Sequence, residues 1–193
     1  MQYSLTPEQK EKIITILTHS FDQNKSTNFV VKQDNKRGKR LRFLIEYSLF
    51  NAEKSGFVLL NDTEDTCCLI LDSEKKKPFF QALIWDVKLV VKCIGIGRVF
   101  KVLKREGAIK KQHPSKPFYH LWYIGVNPEL QGHGLGSKML QKAIQQAKSN
   151  NKAIYLETSN PRNFRFYEKH GFEHYFTLKE LGYELRFFRI NEN

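Results

Sequence analysis

Apolar positions change their period several times along the chain, and each change marks an element. Thr6-Pro7-Glu8-Gln9 offers a capping residue, a proline for the first helical position and an acidic first turn. Ile13, Ile14, Leu17 and Phe21 follow at helical spacing. They predict a helix with one buried stripe, fading over residues 24–28. Leu41, Leu44, Ile45 and Ser48 mark a second helical face that reaches Phe50. Residues 57–60 and 66–71 are strand-like runs on either side of polar residues 61–65, which predicts a hairpin. Residues 79–92 and 98–111 read as two helices broken near Gly95 and Gly97. An apolar, aromatic and β-branched run over 120–126 predicts a central strand, stopped by Asn127-Pro128. A helix-forming run then extends to Lys148. Residues 153–158 form the next strand, and Asn160-Pro161 opens a short helix that ends at Gly171. Residues 172–176 and 183–189 read as a closing antiparallel pair rich in Phe and Tyr.

That order implies an α/β (α+β) fold: a mixed sheet with helices on both sides. A chain of 193 residues is read as one domain, 1–193. There is no run of 18 apolar residues and no N-terminal signal pattern, so neither membrane spanning nor secretion is expected. Cys67, Cys68 and Cys93 are odd in number and not at metal-ligand spacing. They are read as reduced residues of a cytoplasmic protein, with the adjacent pair pointing to opposite faces of a strand.

Lysine and arginine exceed aspartate and glutamate by twelve. Such an excess suits nucleic acid, an acidic membrane surface or an anionic cofactor. It also describes a lysine-rich solvated surface, which is the expectation, and a polyanionic ligand would let part of the charge line its groove. The most basic run, residues 36–42, is read as a solvated face with phosphate contact as the alternative. No zinc-finger spacing and no RNA-binding aromatic motif supports a nucleic-acid partner.

The chemistry is concentrated in residues 120–139, HLWYIGVNPELQGHGLGSKM. Glycines at 132, 134 and 136 fall where a helix begins. A helix N-terminus offers unpaired N–H groups and partial positive charge, and glycines let a phosphate or pyrophosphate approach them closely. The spacing is neither G-x-G-x-x-G nor G-x-x-x-x-G-K-[ST], which excludes the dinucleotide fingerprint and the Walker A loop. Gln131-x-x-Gly134-x-Gly136 instead resembles the coenzyme A loop of the GNAT superfamily of N-acetyltransferases. A second block, residues 155–172 (YLETSNPRNFRFYEKHGF), resembles the following strand and helix of that superfamily. Together the two blocks most resemble its puromycin N-acetyltransferase-like branch. The resemblance is strong over residues 118–176, the expected cofactor-binding core, and vague over the first hundred residues.

The resemblance implies a mostly antiparallel sheet whose two middle strands are parallel and splay apart. It implies an enzyme that moves an acetyl group from acetyl-CoA, its co-substrate, to a primary amine of a small molecule by direct attack, with no metal. Gly125, inside the central strand, is read as a bulge or a close backbone approach. Backbone groups of Ile124 and Val126 are expected on the pantetheine arm. The N–H groups of Gln131, Gly132, His133, Gly134, Leu135, Gly136 and Ser137 are expected on the pyrophosphate. Asn160 and Asn163 are expected on the pantetheine, with a helix N-cap as the alternative for Asn160. Tyr167 is the candidate general acid for the leaving thiolate. Glu157 is the leading candidate base, His120 the second, and a water chain the third. Phe79, Phe80, Trp85 and Phe100 are candidate walls of the acceptor pocket, with core packing as the alternative for each. The acidic turn 61–65 is read as solubilising, with attraction of an amine as the alternative. The expected partner is the amine acceptor, with no nucleic acid and no membrane, in a monomer or homodimer. A non-catalytic acyl-CoA-binding protein, or an acetyltransferase for a protein amine, would carry the same motifs.

Overall fold

The structure, a computed structural model, describes residues 4–191. Its elements are α1 (Pro7–Ser20), α2 (Lys25–Val30), α3 (Arg37–Ser55), β1 (Gly56–Leu60), β2 (Thr66–Asp72), α4 (Phe79–Leu89), α5 (Val99–Lys110), β3 (Phe118–Val126), α6 (Leu135–Ser149), β4 (Ala153–Thr158), α7 (Arg162–Lys169), β5 (Glu173–Leu178) and β6 (Leu185–Ile190). Short π and 3₁₀ turns around Gly95 join α4 to α5. The six strands form one sheet in the order β1-β2-β3-β4-β6-β5. Every pair is antiparallel except β3–β4.

Two apolar layers sandwich the sheet. On one face Ile13 and Leu17 of α1 and Ile45 and Leu49 of α3 cover Cys67, Leu69 and Tyr123. On the other, Leu140 and Ala143 of α6 and Tyr167 of α7 cover Cys68, Ile70, Leu121 and Leu156. Cys67 and Cys68 do face opposite ways, as strand alternation requires. α1 starts where expected, with a capping box in which Thr6 and Gln9 bond each other's backbone N–H.

The central pair parts early. β3 and β4 are in register only over Phe118↔Ala153, Tyr119↔Ile154 and His120↔Tyr155. Beyond that, β3 stays paired with β2 as far as Val126, and β4 with β6 as far as Thr158. Each strand is held from its outer side while the inner edges separate, so backbone groups past His120 face an opening. This is the splayed parallel pair the resemblance implies.

The bulge lies elsewhere than at Gly125. Trp122 has no partner between Leu69↔Tyr123 and Ile70↔Leu121. The extra residue turns both Trp122 and Tyr123 toward the α1–α3 side. Gly125 serves the other expected role, a close approach: a Cβ there would lie 2.7 Å from Leu17 Cδ2.

Three further expectations change. The chain does not fade after α1, because Asn24 caps α2 by accepting the Thr27 N–H at 3.0 Å. The basic run is not a free solvated face: Arg37 pairs with Asp22 at 2.7 Å, Arg40 with Asp34 at 2.8 Å and Arg42 with Glu11 at 2.6 Å. The acidic turn ties down α1, with Glu64 taking Lys12 at 2.5 Å and the Gln9 amide at 2.9 Å.

Candidate active site

Two cavities open where β3 and β4 part. The first is a cleft of about 810 Å³. Ile124 and Val126 line one side, and Gln131, Gly132, Gly134, Leu135, Gly136 and Ser137 form its glycine-rich end. Gly132 and Gly134 have φ of +85° and +77°, a region that L side chains rarely adopt. A Cβ at either would meet no protein atom within 4 Å, so the loop presents bare backbone to the cleft. α6 starts directly behind it, and the N–H groups of its first turn have no acceptor within the helix. This loop fits a pyrophosphate in size and polarity. His133 does not line the cleft; its Nδ1 lies 3.3 Å from the Leu130 carbonyl.

The opposite wall comes from the β4–α7 connection, with Ser159, Asn160, Asn163 and Tyr167. Asn160 Oδ1 accepts the Arg162 N–H at 3.1 Å from one residue ahead of Pro161, the N-cap of α7, so it braces the start of the helix without being its cap. Tyr167 is buried against Phe172, Phe188 and Cys68. Burial pushes its hydroxyl well above the ordinary tyrosine value, so it stays protonated at neutral pH.

The second cavity, about 560 Å³, lies on the α1–α3 side. Phe21, Asn24 and Ser159 line both cavities, which therefore meet there. Asn24 Oδ1 accepts from Ser159 Oγ at 3.4 Å, and Ser159 Oγ accepts the Ser26 N–H at 3.2 Å. The N-cap of α2 is thus fixed at the junction.

At the base of the second cavity Glu157 stands between two imidazoles. Its Oε1 is 2.6 Å from His113 Nε2, and its Oε2 is 2.7 Å from His120 Nε2. The three side chains are 10–15 % exposed. Burial pushes the Glu157 carboxyl up, but the charge on His120 and hydrogen bonds from both imidazoles outweigh it, and the group is held well below the usual carboxylate range. Burial likewise lowers His120, yet the adjacent carboxylate overcomes this and raises it above 6.5. An ionised carboxylate only accepts, so each imidazole donates through Nε2. In neutral His120 the basic lone pair is then on Nδ1. Among the described residues these three also have donor atoms within 4.8 Å of one another, close enough to hold a metal ion. Each carboxylate oxygen is already engaged by one imidazole.

The family model of the acetyltransferase (GNAT) family matches residues 44–172, two thirds of the chain. The chain belongs to the GNAT family. A solved relative titled histone acetyltransferase HPA2 and related acetyltransferase, from Corynebacterium glutamicum, has a TM-score of 0.64 at 18% identity, with 96% of this chain and 93% of that one covered. The arylalkylamine N-acetyltransferase 2 of Aedes aegypti gives a TM-score of 0.68 at 13% identity, covering 99% and 98%. The polyamine N-acetyltransferase of Drosophila melanogaster gives 0.60 at 13%, covering 97% of each. At such identities these likenesses establish the fold.

Within this GNAT framework the expected site residues are divided between the two cavities. Tyr167 lines the first cleft, whereas His120 and Glu157 line the second pocket. The candidate pocket walls are corrected. Phe79, Phe80 and Phe100 are 72%, 79% and 84% exposed and line neither cavity. Trp85 stacks on Phe43 and Phe50 in the α3–α4 packing. The pocket is instead walled by Tyr47, Trp122, Tyr123 and Arg105. Arg105 is buried and donates to Tyr183 Oη at 2.9 Å and to Ser26 Oγ. His113, Asn24, Ser159 and Arg105 escaped sequence reading. His113 alone left a trace there, in the proline-flanked loop ahead of the central strand.

Proposed function

We propose that this chain is an acetyl-CoA-dependent N-acetyltransferase that acetylates a primary amine of a small molecule. One observation carries the reading: a cleft ending in a bare-backbone loop meets a pocket holding a buried His–Glu–His cluster, at the point where the central strands part. Members of the GNAT family use acetyl-CoA as co-substrate, which when bound supplies an activated acetyl thioester.

Ile124 and Val126 hold the pantetheine arm through backbone groups that have no β4 partner beyond the splay, although the Val126 carbonyl also accepts from Ser20 Oγ and Gln131 Nε2, each at 3.3 Å. The N–H groups of Gly132, Gly134, Leu135, Gly136 and Ser137 take the pyrophosphate, the Gln131 N–H being held by the Pro128 carbonyl and His133 lying outside the cleft, and Asn163 faces the arm from α7. Asn160 shapes that wall from the residue before the α7 cap, with its Oδ1 on the Arg162 N–H. The acceptor enters the second pocket, where a protonated alkylamine, with a pKa of roughly 10, must lose a proton before attack. We assign that proton to His120 Nδ1, with Glu157 fixing the tautomer through Nε2. A carboxylate held as low as Glu157 is too weak a base to lead. His113 braces the second carboxylate oxygen. Tyr167 Oη, kept protonated by burial, donates to the departing sulfur as the C–S bond breaks, and the second proton shed by the attacking nitrogen restores the hydroxyl.

We read residues 1–193 as one catalytic unit working in the cytoplasm, a reading supported by three free buried cysteines. The puromycin N-acetyltransferase-like branch is favoured by the two sequence blocks. A small-molecule acceptor is favoured over a protein amine by the enclosure of His120 and Glu157 within a pocket. The test is release of free thiol from acetyl-CoA in the presence of a panel of small amines and lysine peptides. Turnover with small amines supports the proposal. Turnover with peptides alone transfers it to a protein acceptor, and coenzyme A binding without turnover leaves a binding protein.

A further inference from the structure

We propose that the outer faces of α4 and α5 form a docking surface for an anionic phospholipid bilayer. Nine of the ten exposed large hydrophobic side chains among the described residues lie between Phe79 and Leu103. Phe80, Ile84, Val87 and Val91 repeat at helical spacing along the first helix and its π turn. Ile96, Phe100 and Leu103 continue the stripe after the break at Gly95. α4 has no buried residue at all. It is fastened by its other side, where Trp85 lies 4.7 Å from the Phe50 ring and Asp86 accepts from Tyr47 Oη at 2.7 Å. A run of bare apolar side chains this long marks an interaction surface.

The charge around it says what covers it. Residues 75–111 hold eleven lysines and arginines against two acidic residues, so nine of the chain's twelve excess charges fall in this segment. Nine of the eleven are exposed lysines. Phenylalanine and aliphatic side chains on one face, flanked by lysines, are the composition of a helix lying in a bilayer interface. The lysines reach anionic headgroups while the apolar stripe enters the acyl boundary. A second copy of this chain would set the same positive excess against itself, which disfavours a symmetric dimer through this face. No helix among the described residues is long and apolar enough to cross a membrane, so the contact is one of lying on the surface. Short amphipathic helices leave no long apolar run in the sequence, and the expectation of no membrane partner rested on such runs. The inference is independent of acetyl transfer.

The test is flotation of the full chain with vesicles of phosphatidylcholine alone and of phosphatidylcholine mixed with phosphatidylserine. The expected result is recovery with the mixed vesicles, weakened by salt. Phe80→Ser with Phe100→Ser should lower partition about a hundredfold. Lys76→Glu with Lys104→Glu should lower it about tenfold or more, with an unchanged melting curve. The lysine pair and the salt series keep the test decisive if the phenylalanine pair fails to fold. No flotation with mixed vesicles, equal flotation with both kinds, or binding indifferent to both substitutions overturns the proposal. So does a sedimentation result in which the chain self-associates, loses that association on Phe80→Ser with Phe100→Ser, and ignores vesicles.

Discussion

Glu157 and His120 touch across two parallel strands without being register partners. His120 is paired in the ladder with Tyr155, and Glu157 stands two residues further along β4, where the strands have begun to part. The contact at 2.7 Å therefore bridges the opening of the splay. The same separation that ends the β3–β4 ladder leaves room for a carboxylate to turn toward a neighbouring imidazole. His113, arriving from the loop before β3, closes the cluster from the other side at 2.6 Å.

The first prediction concerns the pH profile. If neutral His120 takes the amine proton, kcat/KM should rise with pH through the raised pKa of His120, above 6.5. Glu157→Gln removes the charge that raises it and leaves burial, which lowers it. The limb should then move to lower pH. His120→Gln should abolish the limb and cost roughly 10²–10⁴ in kcat/KM near neutrality, with recovery toward pH 10, about where the amine deprotonates itself. A limb at the same pH in wild type and Glu157→Gln would remove His120 from the role.

The second concerns stability. Glu157 is depressed in the folded state, so its contribution is present above 4.5 and is lost as pH falls toward its folded pKa. His120 is raised, so its contribution is complete below 6.5 and is lost as pH rises through its folded pKa. The pair should support the fold most between 4.5 and 6.5. The Tm deficit of His120→Gln should be largest in that window and should shrink in alkaline buffer. A deficit independent of pH would mean that the ring matters only for packing.

The third concerns the loop. Gly134→Asp places a negative charge where the pyrophosphate is proposed to sit, on a residue with φ +77°. Acetyl-CoA affinity should fall by about a hundredfold or more by calorimetry, some 3 kcal/mol. Gly134→Asn separates strain from charge, because Asn tolerates the left-handed region and is neutral. It should bind considerably better than the aspartate variant. Equal loss in both would shift the explanation to backbone strain.

How far the chain can be read without a structure depends on how local each feature is. The helix start at Thr6-Pro7, the alternation at Cys67 and Cys68, and the glycine loop are written within a few residues, and all three were legible. His113 meets Glu157 across 44 positions, and Arg105 reaches Ser26 across 79. No spacing rule joins such residues. Phe80 and Phe100 were legible as helical aromatics and were read as pocket walls, but a sequence pattern does not say whether an apolar face is covered. The second cavity is walled instead by Trp122 and Tyr123, both turned inward by a bulge that no glycine announces.

The fourth prediction tests the close approach at Gly125. A Cβ there would lie 2.7 Å from Leu17 Cδ2, 3.2 Å from Ser20 Oγ and 3.3 Å from Ile16 Cγ2. Leu17 is fully buried, so it cannot move without disturbing the α1 packing. Gly125→Ala should destabilise the protein by about 1–3 kcal/mol in chemical denaturation, the usual range for overpacking. Truncating the obstacle in Gly125→Ala with Leu17→Val should recover part of it. No loss in the single variant would mean that α1 has slack at this crossing.

The last concerns Tyr167, on which the catalytic reading depends most. Its ring is packed against Phe172 at 5.5 Å and Phe188 at 5.8 Å, while the residue also lines the cleft that ends in the glycine loop. Tyr167→Phe removes one hydroxyl and keeps those ring contacts, so the fold and the cleft should survive. If the hydroxyl protonates the departing thiolate, kcat should fall by roughly 10²–10⁴. KM for acetyl-CoA should change far less, because the lost interaction belongs to the transition state. Burial has raised the hydroxyl pKa, which makes it a weaker acid than free tyrosine. Its value as a donor therefore rests on position, and the same burial guarantees that the proton is present at every working pH. The kcat deficit should accordingly stay constant between pH 6 and 9, roughly the interval far below any tyrosine pKa. Near-normal turnover would make Tyr167 a packing residue. A lower Tm in parallel with the rate would point to a hydrogen bond that holds α7 rather than to proton transfer, so turnover and melting are to be measured on the same preparation.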